Sequence, residues 1–187
     1  MNAKKYQIIL ADPPWQYNDK SLNRGGAERH YKTTSNDKLE MMDVNSICDN
    51  DCILFMWATF PKMQEALDLI NAWGFTYKTN AFTWIKKNKK ADSLFWGMGR
   101  WTRSNAEICL LAVKGKPKRI NMGIHSVIEH PIMKHSKKPD VVRDKIIELI
   151  GDLPRLEMFA RESASGWDVF GNEAPNSIEI PSKKEPS

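Results

Sequence analysis

Long apolar runs are missing from this 187-residue chain. No stretch approaches the roughly 20 residues needed to cross a bilayer as a helix, which leaves no helical membrane span. Near the amino terminus the apolar run is only Ile8–Ala11, too short for the core of a secretory signal, so a cytoplasmic protein is expected. Cysteine is scarce. Cys48, Cys52 and Cys109 form no CxxC pair, which argues against a disulfide framework or a zinc ribbon and for a reducing setting. No metal site is expected. No internal repeat is visible, so a solenoid is excluded. Acidic residues are in deficit, 23 against 28 Lys and Arg, for a net charge of +5. That balance favours an acidic partner, of which nucleic acid is the commonest.

What is present alternates. Tyr6–Ala11 reads as a buried strand stopped by Asp-Pro-Pro, and Thr34–Met42 as a short helix with a capping-box-like Thr34 and Asp37. Cys52–Trp57 is a second apolar strand. Pro61 opens an amphipathic helix through Met63, Ala66, Leu67, Ile70 and Trp73, closed by Gly74. Phe75–Lys86 and Ala106–Val113 read as strands, Pro139 to Ile150 as a helix closed by Gly151, and Leu156–Ala160 and Trp167–Phe170 as two last strands. Apolar strands alternating with amphipathic helices predict an α/β domain over residues 1–174, with a mostly parallel sheet and helices on both faces. Long loops are expected over about 16–33 and 87–105, and residues 175–187 as a polar, disordered tail. Folds of this kind bind ligands where strands end, near a topological switch point.

Asp12-Pro13-Pro14-Trp15 follows the first strand directly. A site that binds an amine needs acceptors that hold it and aim its lone pair. The Asp12 carboxylate is one such acceptor and the Pro13 carbonyl a second. Two prolines remove two backbone donors and fix the turn. Trp15 offers a face for a base taken out of its stack. Basic residues gather in Lys86–Lys90, Lys114–Arg119 and Lys134–Lys138, with Trp84, Trp96 and Trp101 around the first run. Loops of this kind grip phosphates and stack on bases, and Lys86, Lys87, Lys89, Lys90, Trp101 and Arg103 are the candidate nucleic-acid contacts.

At ADPPW (Ala11–Trp15), GMGRWTRSNAEICLLAVKGKP (Gly97–Pro117), HSKKPD (His135–Asp140), RLEMFAR (Arg155–Arg161) and GWDVFGNE (Gly166–Glu173) the chain resembles the MT-A70 family of adenine-N6 methyltransferases. The resemblance runs from about Tyr6 to Glu173. It implies a Rossmann-like fold dependent on S-adenosylmethionine, with Asp12, Pro13, Pro14 and Trp15 as the catalytic motif and Asp12 beside the methyl donor. Lys138 would hold the carboxylate of the cofactor's methionine part; a compact ammonium beside a helix N-terminus suits an anion. Glu157, Phe159, Ala160 and Arg161 would form the cofactor-binding strand and turn, with Arg161 near the ribose. A carboxylate facing inward, as Glu157 does, needs a partner. Asn172 and Glu173 would take the adenine and ribose of the cofactor; Glu173 departs from the amide of the messenger-RNA enzyme. Larger relatives have a further adenine contact upstream of the catalytic motif, whereas 11 residues precede Asp12. His135 and Ser136 fit an ordering role better than that of a base.

The resemblance implies a methyltransferase acting on adenine N6 in DNA. The same chemistry on RNA is the alternative, and a catalytically dead nucleic-acid-binding subunit a third, opposed by the intact Asp12–Trp15 and Lys138-Pro139. With no separate recognition domain visible, target choice falls to the two long loops or to a second copy in a homodimer.

Overall fold

The structure, a computed structural model, describes residues 4–16, 34–99, 101–134 and 137–183. Strand β1, Tyr6–Ala11, is apolar apart from Gln7, and every other residue in it is buried. It pairs in parallel with β2 (Cys48–Ala58) on one side and with β6 (Arg155–Ala160) on the other. A central position explains the sequence: a strand covered on both faces has no use for alternation. Pro13 and Pro14 then end the ladder because neither has an N–H to give, and the last rung is the Asp12 N–H donating to the Met158 carbonyl at 3.3 Å.

The remaining strands are β3 (Thr76–Lys87), β4 (Ala106–Lys114), β5 (Val127–Pro131) and β7 (Asp168–Gly171). Together the described strands form one sheet in the order β5-β3-β4-β2-β1-β6-β7. Successive β1 residues go to opposite faces. Ile9 and Ala11 pack with Leu54, Met56 and helix α3 (Met63–Ala72), while Ile8 and Leu10 pack with Ile53, Phe55 and helix α4 (Val141–Ile150). Helices therefore cover both faces, with α1 (Asn36–Glu40) and α2 (Val44–Ile47) on the α3 side through Leu39 and Val44. Gly74 (φ +83°) and Gly151 (φ +105°) follow α3 and α4 in backbone conformations that a side chain would strain.

The expected mostly parallel sheet is a mixed one. β4 is antiparallel to both β2 and β3, whereas the other pairings are parallel. The reason is the connection. Between β3 and β4 the described residues contain no helix, and without a crossover element the chain can only return antiparallel. One consequence governs the site: the start of β4 lies at the same sheet edge as the ends of β1, β2, β3, β5 and β6.

Other differences are local. β5 and α2 were not legible as elements. Ser35, not Thr34, precedes α1, and no side chain caps it; the Thr34 N–H instead donates to the Pro14 carbonyl at 3.1 Å. The stretch expected to be a disordered tail is packed through Lys183. Ile178 and Ile180 lie against the α3-side core, Ser182 pairs with Met42, and the Asp43 N–H donates to the Pro181 carbonyl. Two branched apolar side chains within the polar run account for this. Most of the loop at 16–33, with His135 and Ser136, lies outside the described residues. No described helix is long and apolar enough to cross a membrane.

Candidate active site and nucleic-acid face

At the end of β1 four charged side chains form a chain of alternating sign. Lys138, just before α4, places its Nζ 3.0 Å from Asp12 Oδ2 and 3.2 Å from Glu107 Oε2. Glu107 is the second residue of β4, and its other oxygen, Oε1, is 2.5 Å from Lys86 Nζ at the end of β3. The Trp57 ring lies 5.7 Å from the Lys138 ammonium. A buried charge without a partner costs several kcal/mol, so each of these groups depends on the next. Burial works against the Lys138 charge, but Asp12 and Glu107 outweigh it and hold its pKa above the ordinary lysine range. Burial also disfavours the Glu107 carboxylate, yet Lys138 and Lys86 keep its pKa below the usual value. At Asp12 burial prevails: its pKa is raised in spite of Lys138 and Arg161, with Glu107 adding like-charge repulsion.

Beside this cluster lies an open cleft lined by Asp12, Lys137, Lys138, Glu157 and the turn Phe159–Glu162. Phe159 has φ +63°, a conformation that costs a non-glycine residue energy and persists only where packing enforces it. Its ring stacks on Trp73 at 6.5 Å and meets Phe170 edge-on at 6.0 Å. The Ala160 carbonyl accepts the N–H groups of Asn172, Glu173 and Ala174. Asn172 and Glu173 are thereby tied to the Phe159–Glu162 turn, although neither lines the cleft. Glu157 is gripped by Arg143 through both oxygens, at 2.7 and 3.0 Å; burial still leaves its pKa raised. The partner this inward carboxylate required is therefore a protein side chain.

Two expectations change. Trp15 is 4% exposed, packed in the α3-side core, with its indole N–H donating to the Trp57 carbonyl at 3.3 Å. It holds the turn and offers no free face to a base. A tryptophan after two prolines can pack as readily as stack, and the apolar space under the β2 end decides it. The Pro13 carbonyl accepts the Trp15 N–H at 2.8 Å, leaving its second lone pair for another donor.

The basic run also divides. Lys86 is bound to Glu107 and lies over the Trp84 ring, so it belongs to the charge chain and not to a phosphate surface. Lys87 pairs with Asp92 and with Glu129. Lys89, Lys90 and Arg103 are exposed, and Trp101 is 95% exposed. The loop bearing them turns tightly: the Gly97 N–H donates to the Ser104 carbonyl at 2.6 Å, and a Cβ on Gly99 would meet the Thr102 carbonyl oxygen at 1.7 Å. Sequence reasoning missed Glu107, Arg143 and Trp57. For Glu107 a signal existed, since a carboxylate inside the apolar AEICLLAV strand must find a cation.

Comparison with known proteins gives the family. The family description MT-A70 matches residues 6–173. The chain is 39% identical over 202 residues to type II methyltransferase M.MunI from Mycoplasma sp, covering 97% of this chain and 84% of the relative. It is 28% identical over 173 residues to the human N(6)-adenosine-methyltransferase catalytic subunit METTL3, covering 90% of this chain but 28% of that protein. A Drosophila melanogaster MT-A70-like N(6)-adenosine-methyltransferase matches at 28% over 173 residues, 27% of its length.

Proposed function

We infer the function from the premise that the chain belongs to the MT-A70 family: it is a methyltransferase of the exocyclic N6 amine of adenine, acting on DNA. A type II methyltransferase matches over nearly all of both chains, and that class acts on DNA, which favours DNA over the RNA substrates of the adenosine methyltransferases. The observation that carries the chemistry is an acidic acceptor, Asp12, on a two-proline turn beside a cleft that Lys137, Lys138, Arg143 and Arg161 also line.

S-adenosylmethionine is the cofactor this cleft suits, in a Rossmann-like methyltransferase fold. When bound, it supplies an electrophilic methyl group. Lys137, Lys138 and the start of α4 fit its carboxylate. Arg161, with Asn172 and Glu173 tied to the same turn, fits the nucleoside end, and Phe159 and Ala160 shape the wall. Glu157 supports that wall through Arg143. Asp12 and the free lone pair of the Pro13 carbonyl accept the two amine hydrogens, which turns the nitrogen lone pair towards the methyl group. The amine proton leaves after transfer, so no strong base is required and alignment supplies the rate. Pro14 and Trp15 keep the turn rigid. Trp101, Arg103, Lys89 and Lys90, exposed on the loop from the same sheet edge, engage the DNA. Target choice rests with that loop or with a second copy of the chain, which sedimentation with and without DNA distinguishes.

The deciding experiment incubates DNA and RNA with methyl-labelled cofactor, digests both and identifies the modified nucleoside by mass spectrometry. Label in 6-methyladenine from DNA is expected. Label only in RNA overturns the substrate, and a methylated cytosine overturns the chemistry.

A further inference from the structure

The nitrogen that sits on Asp12 in this structure is a lysine's. Lys138 Nζ donates to Oδ2 at 3.0 Å, the separation and the donor type that a target amine would use on the same oxygen. Trp57 flanks that position with its ring, and Glu107 holds the ammonium from the other side at 3.2 Å. The backbone beside Lys138 is held, because Pro139 and Asp140 lead into α4 and their carbonyls accept the N–H groups of Val142 and Arg143. Its side chain has four methylene carbons and lines the cleft together with Arg161 and with Lys137, which is itself paired with Asp140 and Glu162. We infer that Lys138 is a placeholder: it occupies the seat of the target amine until a carboxylate in the cleft draws it off Asp12, so that the base is admitted only to a loaded enzyme. This rests on the reading that the cleft takes S-adenosylmethionine. No bond is made or broken; one ion pair is exchanged for another.

The physical logic is competition for one ammonium. A carboxylate entering beside Asp12 and Glu107 adds a third negative charge to the group and competes with both for the one ammonium they share. A cleft ligand without a carboxylate offers no such exchange. The two halves of the reaction are thereby coupled through a side chain that touches both.

The test uses two probes on the full chain, S-adenosylhomocysteine and 5′-methylthioadenosine, which share the nucleoside and thioether but differ in the amino-acid end, which bears the carboxylate together with an ammonium. In crystals with S-adenosylhomocysteine, Lys138 Nζ is expected beyond about 4 Å, ion-pair range, from Asp12. With 5′-methylthioadenosine the ion pair is expected to persist. Lys138 still on Asp12 with the first probe, or displaced by both, overturns the placeholder while leaving the cofactor site standing. Failure of S-adenosylhomocysteine to bind overturns the cofactor reading itself. In solution, Glu107→Gln removes one of the two competitors for the ammonium. Affinity for S-adenosylhomocysteine is expected to rise about fivefold, the low end of site-to-site coupling, with 5′-methylthioadenosine unchanged. A fall, or an equal change for both probes, counts against the competition. Should that variant not fold, the crystallographic comparison decides alone.

Discussion

The tryptophans divide the molecule in two. Trp57, Trp73 and Trp84 are almost fully buried and Trp15 is 4% exposed; the indole N–H groups of Trp15, Trp73 and Trp84 donate to the Trp57, Leu39 and His130 carbonyls. Trp96 and Trp101, on the loop between β3 and β4, are 52% and 95% exposed. The lysines repeat the division, with Lys86 and Lys138 inside the charge chain and Lys89 and Lys90 in solvent. Identical residue types thus do opposite work a few positions apart. The edge around Asp12 is built from charged groups that pair with and position one another, and the loop presents exposed side chains suited to a partner.

The sharpest way to break this contrast is at Asp12. Asp12→Ala is expected to lower methyl transfer by about 10³-fold, as removal of a group that positions the reacting atoms does, while S-adenosylhomocysteine still binds by titration calorimetry. Asp12→Asn keeps an acceptor oxygen and should retain part of the rate. Near wild-type transfer in Asp12→Ala makes the turn structural. Next comes the tryptophan pair. Trp15→Ala should cost about 3–5 kcal/mol of stability, as for a large core truncation, visible as a lowered Tm. Trp101→Ala should leave Tm alone and weaken DNA binding by about 1–3 kcal/mol, the usual worth of base–aromatic stacking. The reverse pattern would return Trp15 to the role of a stacking face.

A subtler handle is pH. Asp12 must be ionised to accept from an amine, and its pKa is raised above the usual value. The carboxylate is therefore lost as pH falls through a higher value than for an ordinary aspartate, and kcat/KM should show an acid limb displaced upward. Arg161→Met removes a charge that favours ionisation and should move the limb further up; Glu107→Gln removes a like charge and should move it down. A limb that ignores both variants assigns the titration to another group. The smallest effect is on salt dependence. Neutralising Lys89 and Lys90 should reduce the slope of log K against log salt by about 0.9 for each DNA phosphate left without its cation, with Tm unchanged. Neutralising Lys86 should instead lower Tm, because Glu107 loses a buried partner.

The sequence made Asp12–Trp15 and Lys138 legible because their chemistry is local: a turn without donors, and a lysine at a helix start. The β1, β3, β4, α3 and α4 segments were legible because apolar spacing and glycine stops are also local. Glu107 and Arg143 were not, since their meaning lies in partners that only tertiary structure supplies, Lys138 from 31 positions away and Glu157 from across α4. Trp15 was misread for the same reason, its hydrogen-bond acceptor being 42 residues distant. β5 is short, carries Glu129 and His130, and ends in proline, so nothing in its composition marks it as a strand.

The reversal of β4 has one further consequence. Because β3 and β4 are neighbours running in opposite directions, the segment between them leaves the sheet at Lys87 and re-enters at Ala106 almost where it left, with Ile85 opposite Ala106 and the Lys86 N–H donating to the Asn105 carbonyl at 3.2 Å. Such an excursion is a cassette. On the proposed reading of this loop as the DNA contact, its roughly 18 residues can lengthen, shorten or be exchanged between two paired ends without shifting the register of any strand or the place of Asp12, which opens a route to a new DNA preference for evolution or for an engineer.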